Sequence, residues 1–469
     1  MERMNLVWII ADAARAENFS LYGYRRDTSP NLKRIVKRDG GTVFNDAYSV
    51  VNATDPSITS MLSGTYPVTH GIRHHGGHVG EDEIRTLERR GVKFLQEYLL
   101  ETGYSTVSFD ILSRWHRRGF KEYLEILPKS DKVKTSLIEK IARHVRIKKV
   151  MKTVYRAVMR RAPANKFTVL DAGTVFEMAM ERIKTEKGSF FYFIHLWDTH
   201  VPYNIPEEYA FEGKGGVPIE EMVSSIKSEN WKSYLLSSFG GMTTEEVIGL
   251  YDGAIRFIDE KLAGFIDFLK DGGIYDNTII IFTADHGESL TEHGIYFDHH
   301  GLYDVSLRVP LVILNFPEGH KGHLDGLIQH VDLFPALRKV LHLKAKHPVD
   351  GSDVFSLAEK GGRDFIIVEE NHAEVKRGIR TKWWKYIYAP NPQKAVCRLC
   401  GVVHGGIEEL YDLRSDPREE RNIVGGRKDV ANVLRETLDE WYSKMERRGE
   451  KLALKRVALS LKKDSGKRI

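Results

Sequence analysis

Cysteine is almost absent: two of the 469 residues, Cys397 and Cys400, are the only thiols. Two thiols cannot build a disulfide framework, so the fold must rest on a hydrophobic core, and a reducing compartment suits it best. Long apolar runs are missing too, and none approaches the roughly 20 residues that a membrane-spanning helix needs. The N-terminal stretch holds Arg3, then Leu6 to Ala11, then an Ala11-Asp12-Ala13 that mimics a cleavage site. It is shorter than a signal peptide, which has about 15–30 residues with an apolar part of about 7–15. It reads as a buried first strand, and the chain is expected to be cytoplasmic. No internal repeat is found and no specific nucleic-acid motif stands out. Net charge is low at +5, but the basic excess is clustered.

What is present is an ordinary globular composition, 42% hydrophobic and 29% charged, with ample material for a large domain and a smaller one. Asn5 to Ile10 is a near-continuous apolar run, as expected for a strand covered on both faces. Further strands are read at Tyr104 to Phe109, Phe190 to Leu196, Thr278 to Thr283 and Val309 to Leu314. Helices are read between them. One has Ser29 as N-cap and Pro30 at its first position, and one starts near Thr54. Another covers about 168–184, and a long one opens on a Thr243/Glu246 capping box and stops at Gly272-Gly273.

Strands alternating with helices predict an α/β fold with a doubly wound, mostly parallel sheet. Past about residue 350 the rhythm changes to short strands, Phe365 to Val368 and Trp383 to Tyr388, and a final helix over about 430–445. The expected division is therefore a catalytic domain over 1–350, a small α+β subdomain over 351–445 and a basic tail over 446–469. Two insertions interrupt the first. About 127–166 carries thirteen Lys/Arg against two acidic residues with apolar residues at helical spacing, a basic amphipathic arm. About 206–240 is polar and reads as a lid. Arm and tail are suited to peripheral contact with an anionic membrane or polymer.

Polar residues stand just after strand ends at Asp12, Asp198 and Asp285, where sites form in open α/β sheets. Asp12, Asp285 and His286 together make a donor set for a divalent metal. Thr54, at a helix start, is either a helix cap or a nucleophile favoured by a metal and the positive helix end. From spacing alone the helix-cap reading would win. His200, with Asp198, follows the strand ending at Leu196, and His293, His299 and His300 precede Tyr303. Imidazoles near a metal suit a transferring anionic group. Cys397-x-x-Cys400 is read first as two loop thiols, since a zinc site would need two more ligands, with His404 or a partner chain as the sources.

Taken in order, these pieces resemble the sulfatase branch of the alkaline phosphatase superfamily. Asp12-Ala13-Ala14-Arg15 and Leu21-Tyr22-Gly23-Tyr24 are similar to its opening metal motif. Thr54-Asp55-Pro56-Ser57 through Gly64-Thr65-Tyr66-Pro67 resembles its nucleophile motif, and Ala284-Asp285-His286-Gly287-Glu288 its second metal motif. Leu410-Tyr411-Asp412-Leu413 fits its C-terminal subdomain. The resemblance implies a fold of the alkaline phosphatase/sulfatase type and a divalent metal, Mn or Zn before Ca or Mg. The metal set it implies is Asp12, Thr54, Asp285 and His286, with Asp198, His200, His299 and His300 as a second set. Catalysis would rest on Thr54, His200, His299 and His300, acting on an anionic ester.

Three positions depart from the family pattern. Sulfatases have cysteine or serine where Thr54 stands, within Cys-x-Pro-x-Arg, and oxidise it to formylglycine. Here Ile58 takes the arginine position and Ala13 that of a second Asp. The expectation is therefore a metal-dependent hydrolase or transferase of phosphate esters through Thr54, similar to threonine-using phosphodiesterases and phosphoglycerol transferases. The alternatives are a sulfuric ester hydrolase and a non-catalytic anion-binding relative.

Overall fold

A computed structural model describes residues 3–127, 169–317, 319–344, 347 and 349–465. The basic arm expected over 127–166 lies, from residue 128 onward, outside the described residues. In chain order the strands are β1 (Asn5–Ala11), β2 (Thr42–Phe44), β3 (Ala47–Tyr48), β4 (Ser105–Asp110), β5 (Glu122–Glu125), β6 (Phe190–Leu196) and β7 (Thr278–Thr283). They continue with β8 (Leu311–Leu314), β9 (Gly322–Leu324), β10 (Ile328–Gln329), β11 (Phe365–Glu370), β12 (Lys376–Thr381), β13 (Trp384–Tyr388) and β14 (Glu408–Asp412).

Among the described residues, the main sheet has the order β5-β4-β6-β1-β7-β8-β2-β9. Pairing from β5 to β7 is parallel, β8 runs antiparallel to β7 and β2, and β9 is parallel to β2. The expected doubly wound, mostly parallel sheet is the one found. Every residue of β1, β6 and β7 is buried, which is why those strands read as unbroken apolar runs rather than alternations. Burying each Leu, Ile, Val or Phe there contributes about 1.5–3 kcal/mol.

Local signals place the covering helices. Thr243 accepts from Glu246 N and Glu246 reaches back, opening the helix Thr244–Asp271. Asp171 caps Ala172–Ile183. Ser29 is the N-cap residue of Pro30–Ile35, but its hydroxyl accepts from Leu21 N at 3.0 Å instead of bonding its own helix. Within 206–240 lie the short helices Ile219–Met222 and Glu229–Phe239, with Phe239 stacked on Tyr203 at 5.6 Å.

The C-terminal unit is an antiparallel sheet, β11-β12-β13-β14, against which a helix packs. That helix spans Lys428–Ser465, so residues 446–465 continue it rather than forming a separate tail. Ile367, Ile379, Tyr386, Leu410, Leu438 and Tyr442 share one apolar cluster with Val50, Val51 and Ala53. The segment leading into Thr54 is thus packed on the small sheet. Among the described residues, no helix is long and apolar enough to cross a membrane.

Candidate active site

β6, β1 and β7 are adjacent and parallel, so their carboxyl ends open on one spot. Asp12 is the first residue beyond β1, and its N–H donates to Leu196 O at the end of β6 at 2.8 Å. Asp285 and His286 follow β7. Ala13 adopts φ 58° and donates its N–H to Asp285 Oδ1 at 3.1 Å, a sparsely populated backbone held in place by the site.

Thr54 is the first residue of the helix Thr54–Ser63, and the cap position is Ala53. The capping role is therefore not what Thr54 does. Its Oγ1 instead stands 3.3 Å from His286 Nε2. His286 Nδ1 donates to Gly287 O at 2.8 Å. A carbonyl only accepts, so the proton of a neutral His286 sits on Nδ1 and the Nε2 lone pair faces Thr54. His286 Nε2 is also 3.3 Å from Asp285 Oδ2 and 3.9 Å from Asp12 Oδ1. The structure thus brings Asp12, Thr54, Asp285 and His286 together.

His195, inside the otherwise apolar β6, joins them. Its Nδ1 is 2.8 Å from Asp110 Oδ1, and its Nε2 approaches Asp12 Oδ2 at 3.2 Å without the alignment of a hydrogen bond. Asp12, His195 and Asp285 present one ligand atom each within 4.8 Å of one another. Both Asp12 oxygens and Asp285 Oδ2 are buried without a hydrogen-bond partner. Two buried carboxylates aimed at one point, unpaired, are costly unless a cation compensates them. Burial, and then the Asp12 charge, pushes Asp285 well above the usual carboxylate range. Burial opposes ionisation of Asp12 as well, but the neighbouring His195 holds it below that range. The donor chemistry fits a divalent metal.

The remaining histidines divide. His299 stacks near His286, ring centroids 4.3 Å apart, and its Nδ1 donates to Asn52 O. Burial holds it at about 4, against the pull of Asp298. His200 lies 6.4 Å from His299, centroid to centroid, with Nδ1 donating to Val201 O at 2.8 Å. His75, paired with Asp55 at 3.1 Å, and His372, stacked on His299 at 5.0 Å, complete the rim. Asp298, His299 and His372 form a second group able to hold a cation.

The expected second set of Asp198, His200, His299 and His300 does not converge. Asp198 Oδ1 accepts from Ala172 N at 3.1 Å, at the start of the helix Ala172–Ile183, and burial pushes its carboxyl up to about 7. His299 and His300 both contact Asp298, but His300 Nε2 faces His404 Nε2 at 3.3 Å and Cys400 Sγ at 3.6 Å. His293 also lies elsewhere, stacked on Tyr303 at 3.6 Å. Asp298 and His372 stand with His299 instead, while His195, held by Asp110, stands with Asp12 and Asp285. For His195 a signal existed: an ionisable residue in an apolar strand next to Asp12's strand. No spacing rule links His372 to His299.

Comparison with known proteins decides the family. The family model described as Sulfatase matches residues 4–343. The chain belongs to the sulfatase family. A second model, for the C-terminal part of N-sulphoglucosamine sulphohydrolase, matches residues 291–446 of this sulfatase-family chain. An N-acetylglucosamine-6-O-sulfatase of Bacteroides thetaiotaomicron is 22% identical over 94% of this chain and 87% of its own length. A multifunctional alkaline phosphatase superfamily protein of Trinickia caryophylli is 28% identical over 53% of this chain and 54% of its own. The solved structure of the phosphonate monoester hydrolase of Agrobacterium radiobacter superposes with a TM-score of 0.67. It shares 19% identity, over 94% of this chain and 96% of that one. The fold is that of the alkaline phosphatase/sulfatase superfamily, whose members here are ester hydrolases. Within it, this chain keeps its departures: Ile58, at the arginine position, is wholly buried in apolar core.

Proposed function

We propose that this chain is a metal-dependent hydrolase of anionic esters in which Thr54 takes up the transferring sulfuryl or phosphoryl group. The observation that carries this reading is the Thr54 hydroxyl at 3.3 Å from the unprotonated nitrogen of His286, beside three buried carboxylate oxygens of Asp12 and Asp285 that accept no hydrogen bond. Asp12, Asp285 and His286, with His195 at hand, would hold a divalent metal that supplies Lewis-acid charge stabilisation and lowers the cost of the Thr54 alkoxide.

Thr54 Oγ attacks the central sulfur or phosphorus in line, and the ester oxygen leaves and takes up a proton as the alcohol. With the His286 Nε2 lone pair directed at the metal position, the Thr54 proton is lost to solvent as the alkoxide forms. The positive end of the helix Thr54–Ser63 faces the developing charge. Water then attacks the Thr54 ester, restoring the hydroxyl and releasing sulfate or phosphate. An alcohol in place of water would make the same site a transferase. His200, half-buried at the rim, is placed to exchange the leaving-group proton through Nε2.

The relatives' names favour a sulfuric ester. A specific observation favours a phosphorus ester: Thr54 cannot become an aldehyde hydrate, which expels sulfate by collapsing to a carbonyl, but a threonyl phosphate is opened by attack at phosphorus. Assay against aryl sulfate, aryl phosphate mono- and diester and aryl phosphonate separates the two. Turnover is expected to vanish after chelation and to return with Mn²⁺ or Zn²⁺. Undiminished turnover in a chelated, metal-free preparation would exclude the metal-dependent reading.

A further inference from the structure

The loop between β13 and β14 carries Cys397 and Cys400, both buried and unoxidised, and His404. They meet His300 from the catalytic domain, and the four residues place one ligand atom each within 4.8 Å of one another. All four side chains are buried. We propose that His300, Cys397, Cys400 and His404 form a closed, structural zinc site that clips the C-terminal sheet to the segment carrying Asp298 and His299.

Geometry is the first argument. Zn–S bonds near 2.3 Å and Zn–N bonds near 2.0–2.1 Å at tetrahedral angles imply about 3.3 Å between two nitrogens and about 3.6 Å between sulfur and nitrogen. The observed separations are 3.3 Å between His300 Nε2 and His404 Nε2, and 3.6 Å between Cys400 Sγ and His300 Nε2.

Proton placement is the second. His404 Nδ1 donates to the carbonyl of His293 at 3.1 Å, and His300 Nδ1 stands 3.3 Å from Asp298 Oδ2. A carbonyl is an acceptor, so the proton of a neutral His404 sits on Nδ1, and its Nε2 lone pair faces His300 Nε2 across 3.3 Å, beside two sulfurs. A cation between them would serve both nitrogens and both sulfurs at once. The carboxylate behind His300 is the usual support of a metal-bound imidazole.

The loop itself is the third. Leu399 N–H and Cys400 N–H approach Cys397 Sγ at 3.4 and 3.3 Å, and Gly401 N–H donates to Cys397 O at 2.8 Å. Backbone donors around a sulfur favour the thiolate, which is the metal-binding form. Gly401 turns the chain at φ 71°, and a side chain there would collide with Lys227. Four protein ligands leave no open position, so the site binds zinc for structure and not for catalysis. It shares no ligand with the Asp12 cluster, which makes the two metals separable.

Purified, reduced protein is expected to carry a zinc equivalent that survives Asp12→Asn and is released when a mercurial titrates the thiols. Cobalt reconstitution should give intense tetrahedral d–d bands and a thiolate-to-cobalt charge-transfer band, which only a cysteine-bearing site can produce. Asp298→Asn, leaving all four ligands, should weaken zinc by roughly 10–100-fold. Cys397→Ser with Cys400→Ser should lose the zinc equivalent and lower Tm. The proposal falls if folded, reduced wild-type protein takes up no thiolate-bound metal when offered zinc or cobalt. It also falls if the two cysteines of freshly purified protein are joined in a disulfide.

Discussion

Thr54→Ala is expected to reduce kcat by about 10⁴-fold or more, roughly 5.5 kcal/mol of transition-state stabilisation, for any ester the chain turns over. Folding should be nearly unchanged. Thr54 is not the N-cap, its hydroxyl approaches only catalytic groups, and alanine is the better helix former. A Tm within a few degrees of wild type, together with single-turnover loss of product, would locate the defect in chemistry. Thr54→Ser keeps a hydroxyl at the helix start and should retain measurable turnover. If Thr54→Ala keeps full activity, Thr54 is not the nucleophile, and the cluster of Asp12, Asp285 and His286 would have to activate water directly.

Asp304→Ala should produce the largest stability loss of a single substitution. Asp304 lies 3.1 Å from Arg380 Nη2 on β12 and 2.5 Å from Lys385 Nζ on β13, and accepts from Tyr48 OH at 3.0 Å. Lys385 is fully buried, and Glu419, at 2.5 Å, would be its remaining anion. Removing one partner of a buried ion network costs about 3–5 kcal/mol, because the charges left behind are undercompensated: Lys385 keeps Glu419 alone and Arg380 loses its carboxylate. Chemical denaturation should show the midpoint falling with little change in slope. Burial opposes ionisation of Asp304, but Arg380 and Lys385 hold its carboxyl well below the usual range. Its stabilising contribution is therefore fully present above the unfolded aspartate value of about 3.9 and is lost as pH falls toward the folded value. Asp304→Ala should accordingly show a shallower loss of stability on acidification than wild type. An unchanged midpoint would mean the network is not stabilising.

The predicted strands at 190–196 and 278–283 coincide with β6 and β7 because a buried parallel strand declares itself locally, as an apolar run ended by a polar residue. In the small antiparallel sheet, β11 and β13 were read as short strands, whereas β12 and β14, rich in charged residues, were not. The final helix runs to Ser465 rather than about 445, because a polar, basic end reads as tail until tertiary packing is known.

The sequence by itself determined the α/β class, five strands of the main sheet, the strand-end positions of Asp12, Asp285 and His286, the helix start at Thr54 and the family resemblance. Each is a local pattern or an ordered set of local patterns. Only the tertiary structure decided which histidines serve which site. Strand adjacency brings His195 of β6 beside Asp12 of β1, a neighbourhood no linear spacing encodes. Packing sets His299 beside His286 and His300 beside His404. The loop after β13 then carries His404 to His300 across 104 residues of sequence. Side-chain direction and long-range contact are properties of the packed chain, and there the roles of His299 and His300 part.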